Sequence, residues 1–440
     1  MNTDPQESLK DRLARARQAI ARRGTEGTVT PLVQSAVRPQ RGLEDLLAVR
    51  TFEAQRDGLA AMGLASPYFR AHHSLNGATI HIDDRELLNF SGYNYLGLSG
   101  HPEVTRAAKA AIDLYGTSAS ASRVVSGEMQ LHGELERTLA SALQVEDALV
   151  FVSGYGTNVS TIGHLFGPND LVIHDSLAHS SVLSGCMLSG ARRLAFPHND
   201  VAALDALLTE NRQRFERAVI LVEGVYSMGG DIAPLDRLIE TKRRHEAALM
   251  VDEAHSLGVL GAHGYGIGEH FDVKRSDVDI WMGTLSKTLA SCGGYIAGTR
   301  RLIEYLRYTT PGFVYSVGLS PPDSAAALAA LGVMEREPER VDKLRRLASF
   351  FVERLREHGL DTGESVGSAV VPVILGASTL TLRVAQRLFE SGINVHPIIY
   401  PATEEGKARL RFFVSAMHSE QDLRRAADAV ADTVAAFSCG

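Results

Sequence analysis

Two stretches decide the fold: LMVDEAH at 249–255 and WMGTLSK at 281–287. Each is a short apolar run that ends abruptly in reactive side chains, Asp252 and His255 in the first and Lys287 in the second. Such a run is typical of a strand that is buried on both faces. A lysine at the end of a buried strand is costly unless it is paired or neutral. The two stretches therefore predict a parallel sheet whose strand ends carry chemistry.

Other apolar runs of the same kind alternate with helix-length segments between about residues 100 and 300. They are ALVFV (148–152), LVIH (171–174), RRLAF (192–196), AVILVEG (218–224), ALMVDEA (248–254) and DIWMG (279–283). Alternation of strands and helices predicts an α/β fold with a mostly parallel central sheet that helices cover on both faces.

The pattern changes after about residue 318. One long helix is predicted over 320–359, then short strands at 369–375, 395–400 and 409–416, and then a closing helix. This tail indicates a smaller C-terminal α+β domain. The predicted organisation is an N-terminal helical extension and arm (1–64), a large domain (65–317) and a small domain (318–440).

Composition and charge exclude several classes of protein. The chain has 440 residues and a net charge of −7, whereas nucleic-acid-binding domains usually carry a basic surface. No window reaches the roughly 18 uninterrupted apolar residues of a membrane helix, and the N-terminus lacks the apolar core of a signal peptide. Cys186, Cys292 and Cys439 form no CxxC pair, which argues against disulfides and a zinc site. We therefore expect a cytoplasmic globular protein without a metal centre.

The N-terminal segment SLKDRLARARQAIARRG (8–24) has the spacing of one short helix and is strongly basic. Two interpretations stay open: a solvated helix face, or a docking helix for an acidic partner. Residues 25–42 are predicted to form a linker or extended arm, 43–63 a helix, and IHIDDRELLNF (80–90) a hairpin.

The reactive residues sit where ligands collect in open α/β sheets, at the carboxyl ends of the strands. A neutral lysine amine forms a Schiff base with an aldehyde, and pyridoxal phosphate (PLP) is the common cofactor held in this way. PLP needs an acidic partner for its ring nitrogen, which Asp252 can supply, and His255 is spaced to hydrogen-bond the ring oxygen. The sequence thus indicates a PLP site built on Lys287.

A phosphate group needs backbone N–H groups at the start of a helix together with hydroxyl groups. Gly154 and Tyr155, after the strand ALVFV, and Thr284 and Ser286, beside the lysine, meet this requirement. His179 is expected to lie flat over the cofactor ring. A single DEAH is also a motif of helicase ATPases. That interpretation fails because no GxxxxGK[ST] loop occurs upstream.

In combination these stretches resemble the α-oxoamine synthases, a branch of the fold-type-I PLP enzymes. The branch includes 8-amino-7-oxononanoate synthase, 2-amino-3-ketobutyrate CoA ligase, 5-aminolevulinate synthase and serine palmitoyltransferase. The similarity covers about residues 65–435. It rests on NYLGL (94–98), SRVVSGEMQLHGELE (122–136), FVSGYGTN (151–158), HDSLAHSS (174–181), EGVYSMGGDIAPL (223–235), VDEAHSLGVLG (251–261), GTLSKTL (283–289), VYSVGLSPP (314–322) and ARLRFFVSAMH (408–418).

The resemblance implies a role for each matching residue. Lys287 would be bonded to PLP and would act as the catalytic base. Asp252 would pair with the ring nitrogen and His255 with the ring oxygen, while His179 would stack on the ring and contact the substrate. The residues implied to hold the cofactor are Gly154, Tyr155, Ser227 and Thr284.

Further implied roles concern the substrate and a second subunit. Ser316 would reach the phosphate bound by the neighbouring subunit, since the family builds its site across a homodimer. Arg411 would bind the amino-acid carboxylate, and Asn94 would line the same pocket. The implied reaction is a decarboxylative Claisen-type condensation of an amino acid with an acyl thioester, which yields an α-aminoketone, CO2 and a free thiol.

Ser122 bears on the choice of amino acid. The glycine-specific aminolevulinate branch has Thr at the matching place, and one methyl group fewer leaves room for a substituent on Cα, so alanine or serine is favoured over glycine. The acyl donor is CoA or an acyl carrier protein, and the acidic carrier protein would suit the basic helix at 8–24. The alternative is an aminotransferase on the same fold, and the retention of Lys287 argues against a catalytically idle subunit.

Overall fold

The computed structural model describes residues 42–438. The predicted basic helix at 8–24 and nearly all of the predicted arm at 25–42 lie outside this range. Contacts divide the chain into two units, Met1–Gly63 and Leu64–Gly440. The described part of the first unit consists of a 3-10 turn, Leu43–Asp45, and helix α1, Leu47–Ala61. The helix predicted over 43–63 is therefore confirmed.

The second unit contains the other described elements. Its helices are α2 (Pro102–Tyr115), α3 (Gln130–Ala142), α4 (Gly154–Leu165), α5 (Ser180–Ser189), α6 (Val201–Asn211), α7 (Leu235–Arg244), α8 (Ile267–His270), α9 (Arg300–Thr309), α10 (Pro311–Val314), α11 (Pro321–Arg336), α12 (Glu339–Glu357), α13 (Ser378–Glu390) and α14 (Glu420–Ser438), with 3-10 turns at Arg212–Arg214 and Arg275–Asp277. Its strands are β1 (Thr79–Ile82), β2 (Arg85–Asn89), β3 (Asp147–Phe151), β4 (Asp170–Asp175), β5 (Arg192–Phe196), β6 (Arg217–Glu223), β7 (Ala248–Asp252), β8 (Ile280–Thr284), β9 (Gly294–Gly298), β10 (Val370–Gly376), β11 (Ile393–Asn394), β12 (His396–Ile398) and β13 (Ala408–Phe413). None of the described helices is long and apolar enough to span a membrane.

Seven strands form the central sheet in the order β3-β9-β8-β7-β6-β4-β5. Neighbouring strands pair in parallel except at β9, which pairs antiparallel with both β3 and β8. All six apolar runs predicted as strands belong to this sheet, so the mostly parallel α/β sheet is confirmed. Side chains such as Val251 and Trp281 are 0% exposed, as expected of strands that helices cover on both faces.

Strand β9 was missed because its five residues, GYIAG, begin and end with glycine, which is typical of a loop. Its Tyr295 lies opposite Gly283 of β8. A Cβ on Gly283 would lie 2.3 Å from Cζ of the Tyr295 ring. Glycine at position 283 therefore leaves the space that this fully buried tyrosine fills.

The C-terminal part is more divided than predicted. The prediction of a single helix over 320–359 was wrong, because α11 and α12 are separate helices. Pro338 disfavours a helical conformation at the residue before it, Glu337, whose φ is −124° and ψ is 58°. The strands β10, β13 and β12 form a small sheet. The predicted hairpin is confirmed as β1–β2, and β2 also pairs in parallel with β11. The predicted boundary between large and small domains at 317 stays a prediction.

A largely buried histidine joins two loops at the ends of strands. Nδ1 of His198 donates to Oδ1 of Asp175 at 2.9 Å, and its Nε2 donates to Oδ2 of Asp231 at 2.6 Å. Asp175 ends β4, and Asp231 lies in the loop between β6 and α7. Burial alone would lower the pKa of His198, but the two carboxylates outweigh burial and raise the pKa to about 10.

We predict that His198→Gln lowers the free energy of unfolding most below about pH 6.5, and that the loss shrinks as pH rises through 10. The folded pKa lies above the unfolded value, so the stabilisation is complete below the unfolded pKa and disappears through the folded one. Urea unfolding of both proteins across this pH range checks the prediction. The control is His164→Gln, which removes a ring that is hydrogen-bonded to the Thr309 hydroxyl and contacts no carboxylate in an ion pair among the described residues. If the free energies of unfolding of wild type and His198→Gln differ by the same amount at every pH, the prediction is wrong.

Candidate active site

The carboxyl ends of strands from the central sheet meet around one pocket of about 250 Å³. This pocket brings together seven of the predicted site residues, namely Gly154, Tyr155, His179, Asp252, His255, Thr284 and Lys287. Two other polar residues from strand ends, Asp175 and Tyr226, contact His198 instead. The seven residues therefore meet at one edge of the sheet as predicted, whereas Asp175 and Tyr226 do not line the pocket.

Lys287 follows the end of β8 and is partly buried. Its Nζ lies 5.7 Å from the centroid of the Tyr93 ring, and no carboxylate among residues 42–438 forms an ion pair with it. Burial lowers the pKa of Lys287 to about 8, against the opposing effects of Asp252 and Glu223. A fraction of the amine is thus neutral near pH 7, and the neutral amine is the form that reacts with an aldehyde.

Asp252, the last residue of β7, is buried and firmly held. Its Oδ2 accepts a hydrogen bond from Nδ2 of Asn158 at 2.8 Å, and its Oδ1 accepts one from the backbone N–H of Ala254 at 2.9 Å. Sequence analysis missed Asn158. Its position one helical turn after Gly154, in the quoted stretch FVSGYGTN, is a signal that could have found it.

Glu223 is a second residue that sequence analysis missed. It ends β6 directly opposite Asp252 in the sheet register and lines the pocket. Burial and the nearby Asp252 raise the pKa of Glu223 to about 8, although Lys287 opposes the rise. The carboxyl group is therefore mostly protonated at neutral pH, and its buried Oε1 has no hydrogen-bond partner in the described part of the chain. The run AVILVEG contained the signal, since Glu223 is its polar end.

Both predicted histidines are neutral at physiological pH. Burial and nearby cations lower the pKa of His255 well below its usual value, and Nδ1 of this ring lies 2.7 Å from the Tyr95 hydroxyl. His179 begins α5 as its N-cap residue. Because Nδ1 of His179 accepts a hydrogen bond from the backbone N–H of Ser181, Nε2 carries the ring proton. Burial also lowers the pKa of His179.

The start of α4 supplies a cradle for an anion. Its first residues, Gly154 and Tyr155, line the pocket, and the N–H groups of a first helical turn have no partner within the helix. A Cβ on Gly154 would lie 2.8 Å from Oγ1 of Thr284, so only glycine allows this approach. The Thr284 hydroxyl lies 2.8 Å from the hydroxyl of Ser286, which also lines the pocket. Two hydroxyl groups thus stand beside the free N–H groups.

Arg411 lies beside the pocket rather than in its wall. Its Nη1 donates to the carbonyl of Ser227 at 3.1 Å, and its buried Nε has no hydrogen-bond partner among the described residues. Its charge contributes to the lowered pKa of Lys287. Ser227 in turn donates its backbone N–H to Oε2 of Glu223 at 3.3 Å. Ser227 therefore contacts the pocket residue Glu223, and Arg411 contacts Ser227, but neither lines the pocket, and their predicted roles stay proposals.

Three predicted residues lie elsewhere in the fold. Asn94 is buried, and its Oδ1 accepts a hydrogen bond from the backbone N–H of Ser99 at 3.1 Å. Ser122 donates its hydroxyl to the carbonyl of Val314 at 2.6 Å, and Ser316 lines a different, small cavity. None of these three residues lines the Lys287 pocket, and their predicted roles stay proposals.

The pocket residues fit PLP. The partly neutral Lys287 can hold the aldehyde carbon, the fixed carboxylate of Asp252 can face the ring nitrogen, and the cradle at Gly154 can hold the phosphate. The unpartnered Oε1 of Glu223 shows that the pocket also offers a polar group that nothing in the described chain satisfies. His179 and His255 supply neutral rings on the remaining sides.

Comparison with known proteins agrees with this fit. A family model described as aminotransferase class I and II matches residues 85–430. The chain is 40% identical over 372 residues to 8-amino-7-oxononanoate synthase of Thermosipho melanesiensis, which covers 84% of this chain and 94% of that protein. Serine palmitoyltransferase of Sphingomonas wittichii superposes with a TM-score of 0.86 at 31% identity, over 90% of this chain and 99% of that one.

A lysine-to-alanine variant of a serine palmitoyltransferase from S. paucimobilis, with a bound PLP–myriocin aldimine, superposes with a TM-score of 0.86 at 27% identity, over 91% of this chain and 100% of that one. These likenesses span nearly the whole described chain rather than the sheet alone. The sequence relative and the two structural neighbours are all acyltransferases of one group. The chain therefore belongs to the class I and II aminotransferase family and, within it, to the α-oxoamine synthases, PLP-dependent enzymes that condense an amino acid with an acyl thioester and release CO2.

Proposed function

We propose that this enzyme joins L-alanine or L-serine, in preference to glycine, to an acyl group carried as a thioester on CoA or an acyl carrier protein. The observation that carries the proposal is that a partly neutral Lys287 lies within the electrostatic influence of Arg411, whose Nε has no partner in the described chain. Lys287 can take a proton from Cα of the amino acid, and Arg411 can bind the carboxylate that later leaves as CO2.

Arg411 has the chemistry to fix the amino acid. A guanidinium group binds a carboxylate through two parallel N–H···O bonds, which orients the Cα–H bond of the substrate. The Ser227 carbonyl and the Phe413 ring, whose centroid lies 4.7 Å from Cζ, hold Arg411 in place.

Lys287 is the base of the proposed reaction. A pKa of about 8 lets Nζ accept the Cα proton near neutral pH and return a proton after CO2 has left. PLP, when bound, supplies the electron sink that stabilises the negative charge on Cα. That carbon then bonds to the thioester carbonyl as the thiol leaves. Asp252, held by Asn158, keeps its carboxylate facing the cofactor ring.

The names of the relatives support an amino acid larger than glycine. An 8-amino-7-oxononanoate carries its amino group on a carbon that bears a methyl group, as alanine would supply, and a serine palmitoyltransferase is named for serine. We also propose that the enzyme acts as a homodimer. The position of Ser316 outside the Lys287 pocket supports this proposal, because the role that the family implies for Ser316 requires a second copy.

The direct test mixes the holoenzyme with carboxyl-labelled glycine, L-alanine or L-serine and a panel of acyl-CoAs and acyl-loaded carrier protein. We expect labelled CO2 and free thiol only when both substrates are present, with alanine or serine giving the higher kcat/KM. Formation of a keto acid without CO2 would contradict the proposal and would mark an aminotransferase.

Ser122→Thr adds one methyl group and retains the hydroxyl that donates to Val314. We expect the ratio of kcat/KM for alanine to kcat/KM for glycine to be about tenfold lower in Ser122→Thr than in wild type. The reason is that a single methyl group contributes roughly 1–3 kcal/mol to selectivity in a close pocket. Ser118→Thr, in the same loop, is the matched control and should leave the ratio unchanged. An unchanged alanine-to-glycine ratio in Ser122→Thr would rule out this role.

The basic segment at 8–24 lies outside the described residues, and we propose that it docks an acidic acyl carrier protein. Deletion of residues 1–40 should raise KM for the carrier-protein thioester about tenfold at low salt and leave KM for acyl-CoA unchanged, because only the protein partner presents an acidic surface. Steady-state kinetics with both donors measure the difference. Equal effects on the two donors would refute the docking role.

A further inference from the structure

Tyr95 belongs to the stretch NYLGL (94–98) but has no role in the site described above. Its side chain is 0% exposed. Its backbone N–H donates to the carbonyl of Tyr93 at 2.8 Å, and its carbonyl accepts a hydrogen bond from the N–H of Ala416 at 2.7 Å. Because these bonds fix the backbone, the Tyr95 hydroxyl is held at one place, beside the ring of His255.

The Tyr95 hydroxyl has a single hydrogen-bond partner among residues 42–438. Its oxygen lies 2.7 Å from Nδ1 of His255. Burial holds the pKa of Tyr95 well above its usual value, so the phenol keeps its proton at physiological pH. The hydroxyl group therefore always has a hydrogen to donate, and Nδ1 of His255 is the acceptor within its reach.

The number of donors in this bond decides where the His255 ring carries its proton. A neutral imidazole has one proton, on Nδ1 or on Nε2. If Nδ1 carried the proton, Nδ1 would donate to the Tyr95 oxygen, and the phenol hydrogen would be buried with no acceptor in the described part of the chain. If Nδ1 is the acceptor, both partners are satisfied. The bond therefore places the ring proton of His255 on Nε2.

His255 has one ring nitrogen left for a ligand. The ring lines the Lys287 pocket, Tyr95 occupies its Nδ1, and its Nε2 has no hydrogen-bond partner among the described residues. The Phe413 ring lies nearly parallel to it, at an angle of 11° and a centroid distance of 6.2 Å, and the Tyr93 ring meets it edge-on. The chain thus fixes both the plane of the His255 ring and its donor atom before a cofactor binds.

We propose that Tyr95 is a positioning residue for the cofactor, because it holds His255 in the tautomer whose Nε2–H donates to the ring oxygen of PLP. An oxygen that carries negative charge attracts an N–H group and repels a nitrogen lone pair, so the other tautomer would face the cofactor with the wrong atom. The inference rests on the role proposed for His255 beside PLP. It does not depend on which amino acid or thioester the enzyme uses.

The first measurement is the 15N NMR spectrum of the full-length protein, labelled at histidine and freed of PLP so that the cofactor cannot select the tautomer. Comparison with His255→Gln identifies the His255 signals. In wild type we expect Nδ1 at the shift of an unprotonated ring nitrogen and Nε2 at that of a protonated one. In Tyr95→Phe we expect averaged shifts, because neither tautomer is then selected. A protonated Nδ1 in wild type would overturn the proposal, and this outcome does not depend on the folding of any variant.

The second measurement is the Kd of PLP for wild type, Tyr95→Phe, His255→Gln and the double variant. We expect Tyr95→Phe to raise Kd about fivefold when His255 is present, because the Nε2–H donor is weakened when Nδ1 loses its own partner. In the His255→Gln background the same change should have no effect, since Tyr95 acts through His255. An equal factor in both backgrounds, or no change in either, would overturn the proposal.

Tyr295→Phe is the matched control. Tyr295 is also 0% exposed, but its hydroxyl has no hydrogen-bond partner in the part of the chain that the structure describes. The substitution removes the same atom from a buried tyrosine without touching the His255 bond. It should leave both the His255 signals and the Kd of PLP at their wild-type values.

These measurements separate the positioning role from the proposed function, since neither uses an amino acid or a thioester. If Tyr95→Phe changes the His255 shifts and the Kd as expected but no amino acid yields CO2, the condensation is wrong and the positioning role stands. If CO2 forms but Tyr95→Phe matches wild type in both measurements, the positioning role is wrong and the condensation stands.

Discussion

The structure depends on the cost of holding charged groups away from water at the end of a buried sheet. Lys287, Asp252 and Glu223 lie at adjacent strand ends, and each shifts the ionisation of at least one other. Burial keeps the amine partly neutral and the Glu223 carboxyl mostly protonated, while Asn158 fixes the carboxylate of Asp252. A cofactor with an aldehyde, a protonated ring nitrogen and a phosphate suits this edge of the sheet, where Lys287, Asp252 and the start of α4 meet.

Parallel pairing brings these groups together. Because β6 and β7 run side by side in register, Glu223 and Asp252 reach the same edge of the sheet. The start of α4 brings the phosphate cradle to that edge. His198 bonds to Asp175 and Asp231 and so joins the loop that leads to His179 with the loop that carries Ser227. These charged hydrogen bonds hold both loops at the edge of the sheet.

The sequence predicted the part of this arrangement that periodicity and motif spacing encode. The buried strands and the reactive residues at their ends could be read from runs such as LMVDEAH, since a parallel sheet buries both faces of each strand. Glu223 and Asn158 occupy positions that the sequence marks, the polar end of a strand and one turn after Gly154, but their partners come from strand pairing and from contact between helix and sheet, which linear spacing does not show. The break at Pro338 was missed because apolar periodicity resumes directly after it. The sequence also did not show that Ser122 and Ser316 lie outside the Lys287 pocket, because the loops that carry them are placed by tertiary contacts such as the bond from Ser122 to the Val314 carbonyl.

The central claim is that Lys287 is the residue that binds PLP covalently. The most direct measurement is borohydride reduction of the holoenzyme, followed by proteolysis and peptide mass spectrometry to find the lysine that carries the cofactor. We expect a single modified peptide, containing GTLSKTL, with the added mass on Lys287. Modification of a different lysine, or a holoenzyme in which Lys287 stays unmodified, would contradict it.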